Sequence, residues 1–553
     1  MGLQFRDTED MKKIYLILAL CSAWVAGMAC TNFLVGKDAS VDGSTMITYA
    51  ADSYALYGFL RFAPAADHPA GAVREVKDWD TGKPLCSIPQ VAHTYNVVGN
   101  MNEHQLTIGE TTVGGRPELE SGEGIDYGSL IYIALERCKT AREAIKCMTE
   151  LVAEYGYASS GETFSIADPN EVWLMELIGK GKAEKGAVWV ATRVPDDCIA
   201  AHANQARFTT INFKDKENWM WSKDVVSFAR KQGYFEGKDK DFNFQEAYAP
   251  YDFSGLYVCE ARVWAFFNKF SDDMAQYFDF ASGKTFVETG GKYAGERMPL
   301  YIKPNHKVSA QELKDCMRDQ YEGTPLDITQ GPDAGPWNSK LRHGSLTFQL
   351  DSVNYWYERP IATQQTAWSF VAQMRGYESA KAGGILWFGV DDAASTVYVP
   401  VYSTITEVPE CLKEGNGDLY TYSPTSAWWT YNIVANWAYT KYSAMMPDIK
   451  KVQAAWEDKF NAQVAIVDEA VAGLSAEDKT AWLTKYSCKQ AEESTAAWKE
   501  LGIYLFVKYL DGQERKEQDG QFLRNPYGEP EGPNRKPYPT EFLRTIHEHI
   551  AHE

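Results

Sequence analysis

The chain has 553 residues, 45% of them hydrophobic and 24% charged, with a formal net charge of −20. Such a chain is globular and long enough for roughly two to four domain-sized units, or for one large unit with an appendage. An acidic balance this strong argues against nucleic acid and anionic membrane as principal partners. Aromatics are heavy, with 17 Trp and 32 Tyr, and a large mixed core accounts for them more simply than a ring-lined groove.

The first element is a leader. Lys12-Lys13 form a basic start, Ile14 to Ala26 an apolar run, and Gly27-Met28-Ala29 a small-x-small cleavage site. Residues 1–29 therefore read as an export signal, with Met11 as the natural start because three acids in MGLQFRDTED precede the basic pair. The apolar run is too short for a comfortable membrane span, and no later stretch approaches that length. The mature protein is expected to be exported, periplasmic or extracellular, with no membrane span. Cleavage after Ala29 leaves Cys30 as the first residue, joining a thiol and a free α-amino group on one residue. That is a nucleophile with its own base. A lipidated anchor is the competing explanation for Cys30. It prefers Leu three residues upstream, where this chain has Gly27.

Ten cysteines lie at 21, 30, 86, 138, 147, 198, 259, 316, 411 and 488, and Cys21 leaves with the leader. No CxxC pair occurs, which argues against thioredoxin-type and zinc-knuckle chemistry. Export permits disulfides, but the spacing selects no pairing.

After Cys30, Thr31 to Val35 and Ser44 to Tyr49 read as the two strands of a hairpin turning through Lys37 to Gly43. Tyr54 to Phe62 reads as another strand. Residues 91–113 form a second hairpin, with its turn near Asn100 to His104. Tyr127 to Arg137 has helical periodicity, and Thr140-Ala141-Arg142-Glu143 is a capping box opening a helix that ends near Gly156. Strands are expected at Glu162–Ala167, Val172–Ile178, Val188–Val194 and Cys198–Ala203. Others are expected at 344–350, Gly384–Val390 and Val397–Tyr402. From Thr425 to Leu510 apolar residues recur at helical spacing, with Ser475 to Asp478 resembling a cap. Five prolines between Pro526 and Pro539 forbid regular helix there. The blocks suit an α+β layered fold, with residues 30–424 as the catalytic domain and 425–553 as a helical region with a Pro-rich tail. That region is suited to packing on the catalytic domain or to forming a subunit interface in a homo-oligomer.

Five blocks in order resemble the C69 dipeptidases. They are Cys30-Thr31-Asn32-Phe33 with GKDASVDGS and AADS, then GNMNEHQLTIGETT at 99–112, HANQAR at 202–207, CEARVWAFFNKF at 259–270 and GGILWFGVDDAASTVYVPVY at 383–402. The likeness runs from residue 30 to about 445. This family of cysteine-type N-terminal nucleophile hydrolases is related to penicillin V acylases and bile salt hydrolases. It implies a four-layer αββα fold and hydrolysis of dipeptides and short peptides without a metal or other cofactor. The resemblance also implies that Asp52 orients the terminal amine. Oxyanion donors are expected from Asn204 first and from Asn102 second, the latter through its backbone, and Arg262 matches a family site arginine.

One position departs from the pattern. The related acylases usually carry an arginine three residues before the aspartate, and this chain has Tyr49. Thiol activation then rests more on the amine, with Arg61, Arg116 or Arg207 as other sources of positive charge. Two further clusters read as structural: His547, His549 and His552 near the end of the chain, and Asp391-Asp392 at a turn, where Asp is common. The leading expectation is an exported cysteine dipeptidase. Its rivals are an N-acyl amide hydrolase of the same mechanism and a lipid-anchored sugar-binding protein.

Overall fold

A computed structural model describes residues 30–291 and 296–550. The expected leader, residues 1–29, and His552 lie outside the described residues. The chain is an α+β protein with a helical C-terminal region. Its principal strands are β1 (Asn32–Val35), β2 (Thr45–Asp52), β3 (Thr107–Thr112), β4 (Gly161–Ala167) and β5 (Val172–Gly179). After them come β6 (Ala187–Arg193), β7 (Ile199–His202), β8 (Thr366–Met374), β9 (Ile385–Val390) and β10 (Val399–Tyr402). The helices used below are α1 (Tyr127–Arg137), α2 (Ala141–Tyr155), α3 (Ala261–Phe270) and α4 (Ala310–Met317). The C-terminal region adds α5 (Ala427–Tyr439), α6 (Tyr442–Val471) and α7 (Ala476–Lys508).

Two antiparallel sheets carry the fold. The first runs β7-β1-β2-β8-β9-β10, with the short strand Tyr301–Ile302 outside β7. The second runs β6-β5-β4-β3, extended by short pairs beyond β3 and by Trp219–Trp221 beyond β6. Contacts of β2 with β3 and β4, and of β1 with β3, bring the sheets face to face. Period-two alternation then sorts the second sheet. Val172, Leu174 and Ile178 join the core shared with the first sheet, whereas Trp173, Met175 and Leu177 join a separate core with residues of α1 and α2. Helices α3, α4, α5, α6 and α7 pack against strands of the first sheet.

Local chemistry explains the helix starts. Asp126 accepts from the Ser129 N–H at the head of α1, and Thr140 accepts from the Glu143 N–H at the head of α2. Ser475 does the same for Asp478 at the head of α7, which runs on to Lys508.

Three expectations need correction. Tyr54 to Phe62 is not a strand: only Phe62–Ala63 pairs, and Gly58 fits because a side chain there would strike the Ala367 carbonyl. The expected 91–113 hairpin breaks into the short strands His93–Thr94, Val97–Val98 and Met101–Asn102 before β3. In the opposite direction, β8 was not anticipated. It lies between β2 and β9, and all nine of its residues are buried, so no polar face marks it.

Candidate active site

Cys30 sits immediately ahead of β1, 2% exposed, between the two sheets. Its backbone carbonyl accepts from Arg262 Nη1 at 2.6 Å, and the same nitrogen reaches Thr31 Oγ1 at 2.9 Å. Arg262 Nη2 turns the other way, to Asn204 Oδ1 at 3.1 Å and the Ala203 carbonyl at 3.2 Å. One fully buried guanidinium thus ties Cys30 to Asn204, and three of the expected site residues meet in a single hydrogen-bonded knot.

Helix α3 makes this possible. Arg262 and Phe266 are one turn apart and face β1 together, with Phe266 stacked on Phe33 at 4.0 Å between ring centroids. Such a stack contributes about 0.5–1.5 kcal/mol beyond its buried area. The π-helical turn Gly255–Glu260 leads into α3, a widened geometry often found at functional sites. A Cβ at Gly255 would lie 2.4 Å from Gln205 Oε1, so a larger residue there would have to displace that side chain. Asn204 itself has φ of 63°, a left-handed conformation that Asn tolerates better than most residues. Its amide Nδ2 donates to the Thr112 carbonyl at 2.8 Å.

Asp52, at the end of β2, is fully buried beside the site. It pairs with Arg359 Nη2 at 2.7 Å and accepts from Thr366 Oγ1 at 2.6 Å. Arg359 is therefore the cation at this aspartate, and sequence reasoning missed it: no local pattern marks an arginine 307 residues away from its partner. The three arginines named as substitutes are engaged elsewhere. Arg61 lies over Tyr132 and Trp79, Arg116 bonds the Ala247 carbonyl, and Arg207 pairs with buried Glu260.

Asn102 is not brought into this cluster. Its Nδ2 donates to the Leu135 and Cys138 carbonyls, closing the end of α1, while Oδ1 accepts from the N–H groups of His104 and Leu106. Its backbone N–H is taken by the Leu106 carbonyl. These bonds satisfy a tight turn and leave no donor for a substrate, which corrects the expectation of an oxyanion contact from this residue.

Tyr49 explains its own departure from the acylase pattern. Its hydroxyl donates to Glu110 Oε1 at 2.6 Å, and both atoms stand 3.8 Å from Cys30 Sγ. Gly109 permits the approach, since a Cβ there would lie 2.8 Å from Asn32 Nδ2 and 3.3 Å from Tyr49 Cβ. Glu110 was also missed, although a signal existed: Gly109-Glu110-Thr111 and Gly161-Glu162-Thr163 put the same acid in two otherwise uncharged strands. Burial raises the Glu110 carboxyl, and burial followed by Glu110 itself raises Glu162 well above the usual carboxylate range. Burial, then Glu110, then Asp52 push the Cys30 thiol well up, so the thiol rests protonated. His202 is spoken for, with its ring nitrogens 2.7 Å from Thr111 Oγ1 and Ser165 Oγ, and burial lowers its pKa well below the usual value. Among the described residues no group of three or more His, Cys, Asp or Glu is placed to hold a metal ion.

The family model described as Peptidase family C69 matches residues 29–455. The chain belongs to Peptidase family C69. It is 24% identical over 501 residues to a probable dipeptidase of Latilactobacillus sakei, covering 87% of this chain and 95% of that relative. Dipeptidase A of Lactobacillus helveticus is 24% identical over 477 residues, with 81% and 90% covered. A dipeptidase of Bifidobacterium longum is 24% identical over 494 residues, with 82% and 86% covered. The C69 match thus spans Cys30, Tyr49, Asp52, Glu110, Asn204, Arg262 and Arg359, and it ends within α6.

Proposed function

We propose that this chain is an exported cysteine-type dipeptidase, with Cys30 as nucleophile and its own α-amino group as base. The observation that carries the reading is the Arg262 knot, which holds the Cys30 carbonyl and Asn204 on one buried guanidinium. The names of the relatives and the start of the C69 match, one residue before Cys30, support it. The facing sheets with helices on their outer sides are read as the four-layer αββα arrangement of N-terminal nucleophile hydrolases. No described helix is long and apolar enough to cross a membrane.

In this mechanism removal of residues 1–29 frees the amine, which titrates near pH ~8 and is partly neutral at physiological pH. A protonated thiol needs a base during attack, and the amine takes that proton directly or through a water. Sulfur adds to the carbonyl carbon of the first residue, and the oxyanion accepts hydrogen bonds from donors at Asn204. The peptide C–N bond then breaks, with the ammonium returning its proton to the leaving amine. Water, deprotonated by the same amine, cleaves the thioester and restores the thiol. Arg262 positions Cys30 and Asn204, while Asp52 and Arg359 hold the floor beneath the terminal residue.

Mass spectrometry of the mature protein is expected to find an unmodified Cys30 at the N-terminus, in a protein that hydrolyses a dipeptide panel. An acylated Cys30 overturns the reading, as does activity confined to conjugated bile acids and penicillin V.

A further inference from the structure

Most buried carboxyls in this chain have a cation or, like Asp168 and Glu176, several backbone N–H donors. Asp52 has Arg359, Glu260 has Arg207, Glu457 has Arg318 and Asp392 has Lys340. Glu110 and Glu162 break that rule. They sit on adjacent strands in the register Glu110↔Phe164 and Thr112↔Glu162, which makes them diagonal neighbours on one face of the sheet. Both are buried, at 1% and 0% exposure. Glu110 Oε1 receives the Tyr49 hydroxyl, but Glu110 Oε2 and both Glu162 oxygens have no hydrogen-bond donor among the described residues. The charge that acts on both from outside the pair is that of Asp80, which is acidic too. Burial and Glu110 hold Glu162 protonated, so the pair keeps at most one negative charge; with no cation beside it that charge is costly in a dry interior, and a cationic ligand removes the cost.

The position says which cation. Glu110 Oε1 lies 3.8 Å from Cys30 Sγ. Sulfur attacks a carbonyl carbon from about 3–3.5 Å, and in a peptide the α-nitrogen of the first residue is two bonds from that carbon. An ammonium there can reach charge-assisted hydrogen-bond range, about 2.7–2.9 Å, of a carboxyl placed where Glu110 is. Tyr49 fixes one Glu110 oxygen and leaves the other open.

We propose that Glu110 and Glu162, positioned by Tyr49, form the subsite for the free α-ammonium group of the substrate, so that the acyl half of the scissile bond must be an N-terminal amino acid. The proposal rests on Cys30 being the nucleophile. It deepens the dipeptidase reading by assigning residues to recognition of the substrate amine, and it disfavours N-acylated amides, which bring no cation to the carboxyls.

The test compares alanyl-alanine with N-acetyl-alanyl-alanine, using the mature protein and its Glu162→Gln and Glu110→Gln variants. Wild type is expected to prefer the free dipeptide by at least about 100-fold in kcat/KM. Glu162→Gln should collapse that ratio about 10- to 100-fold, chiefly through a higher KM for the free dipeptide, as fits a lost charge-assisted bond. Equal losses on both substrates would overturn the proposal and assign the pair to the Cys30 amine or to the fold. So would a wild type with no preference. Calorimetry on Cys30→Ala reads the same preference without turnover. Free dipeptide should bind more tightly than its acetylated form, and adding Glu162→Gln should erase the margin. Failure of the parent reading looks different, because Cys30→Ala would then still hydrolyse dipeptides.

Discussion

The Cys30 centre and the seam between the first sheet and the C-terminal helices both bury charge, and they treat it in opposite ways. At the seam every acid but one is matched. Arg375 Nη1 and Nη2 bond Asp468 at 2.7 and 3.0 Å, and the Ala382 N–H adds a third contact to the same carboxyl. Arg318 pairs with Glu457, which also accepts the Tyr398 N–H, while Asp392 receives Lys340 and Tyr439. These are clamps that hold α5 and α6 to the strands, and they give Asp391-Asp392 a structural purpose. The exception is Asp391, which binds Asn432 through one oxygen and leaves the other unpartnered. At the Cys30 centre Arg262 binds carbonyls and an amide, Arg359 is taken by Asp52, and two further carboxyls are left open. Matched buried charge holds a structure together. Unmatched buried charge beside a thiol waits for a ligand.

Breaking each side in turn sharpens the contrast. The largest effect is expected from Cys30→Ala, which should abolish dipeptide hydrolysis while circular dichroism and the unfolding midpoint stay close to wild type; residual turnover would remove Cys30 from the chemistry. Arg375→Met should act on stability, costing about 3–5 kcal/mol in urea unfolding because Asp468 is left buried and unpaired. The double variant Arg375→Met with Asp468→Leu should recover most of that loss. Asn204→Ala should lower kcat about 100-fold or more with little change in KM, the pattern of a transition-state donor.

The smallest effect concerns pH. Burial, aided by Asp392, raises the Asp391 carboxyl from 3.8 to about 7 against the hydrogen bond from Asn432. The folded state then holds a proton that the unfolded state releases, so stability falls as pH rises from about 4 to 7. Asp391→Asn, which suits the left-handed φ of 65° at this position, should flatten that fall by about 1–3 kcal/mol when unfolding free energies at pH 5 and pH 8 are compared.

Much of the fold was readable from pattern. Tyr127–Arg137 matches the expected helix end for end, and β4, β5 and β6 of the second sheet fall within a residue of their expected bounds. These elements carry their own signals, either a capped amphipathic period or a short apolar run between turns. Strand β8 carried neither, because both its faces are covered and Ser369 and Gln373 interrupt its apolar run. Asn102 misled for a related reason. An Asn in a turn looks the same in sequence whether it serves the turn or a substrate, and here four bonds to backbone groups serve the turn.

By itself the sequence determined the α+β class, the helical C-terminal region, Cys30 as the candidate nucleophile, and the C69 resemblance that drew attention to Asn204 and Arg262. These are properties of contiguous stretches, where side-chain order, caps and turns act over a few residues. Tertiary structure alone decided which cation meets Asp52, why Tyr49 stands where related acylases carry arginine, and which carboxyls beside Cys30 lack a partner. Such facts depend on groups 61 to 307 residues apart being desolvated together. The energy of a buried charge is set by what packing places around it, and no local pattern carries that information.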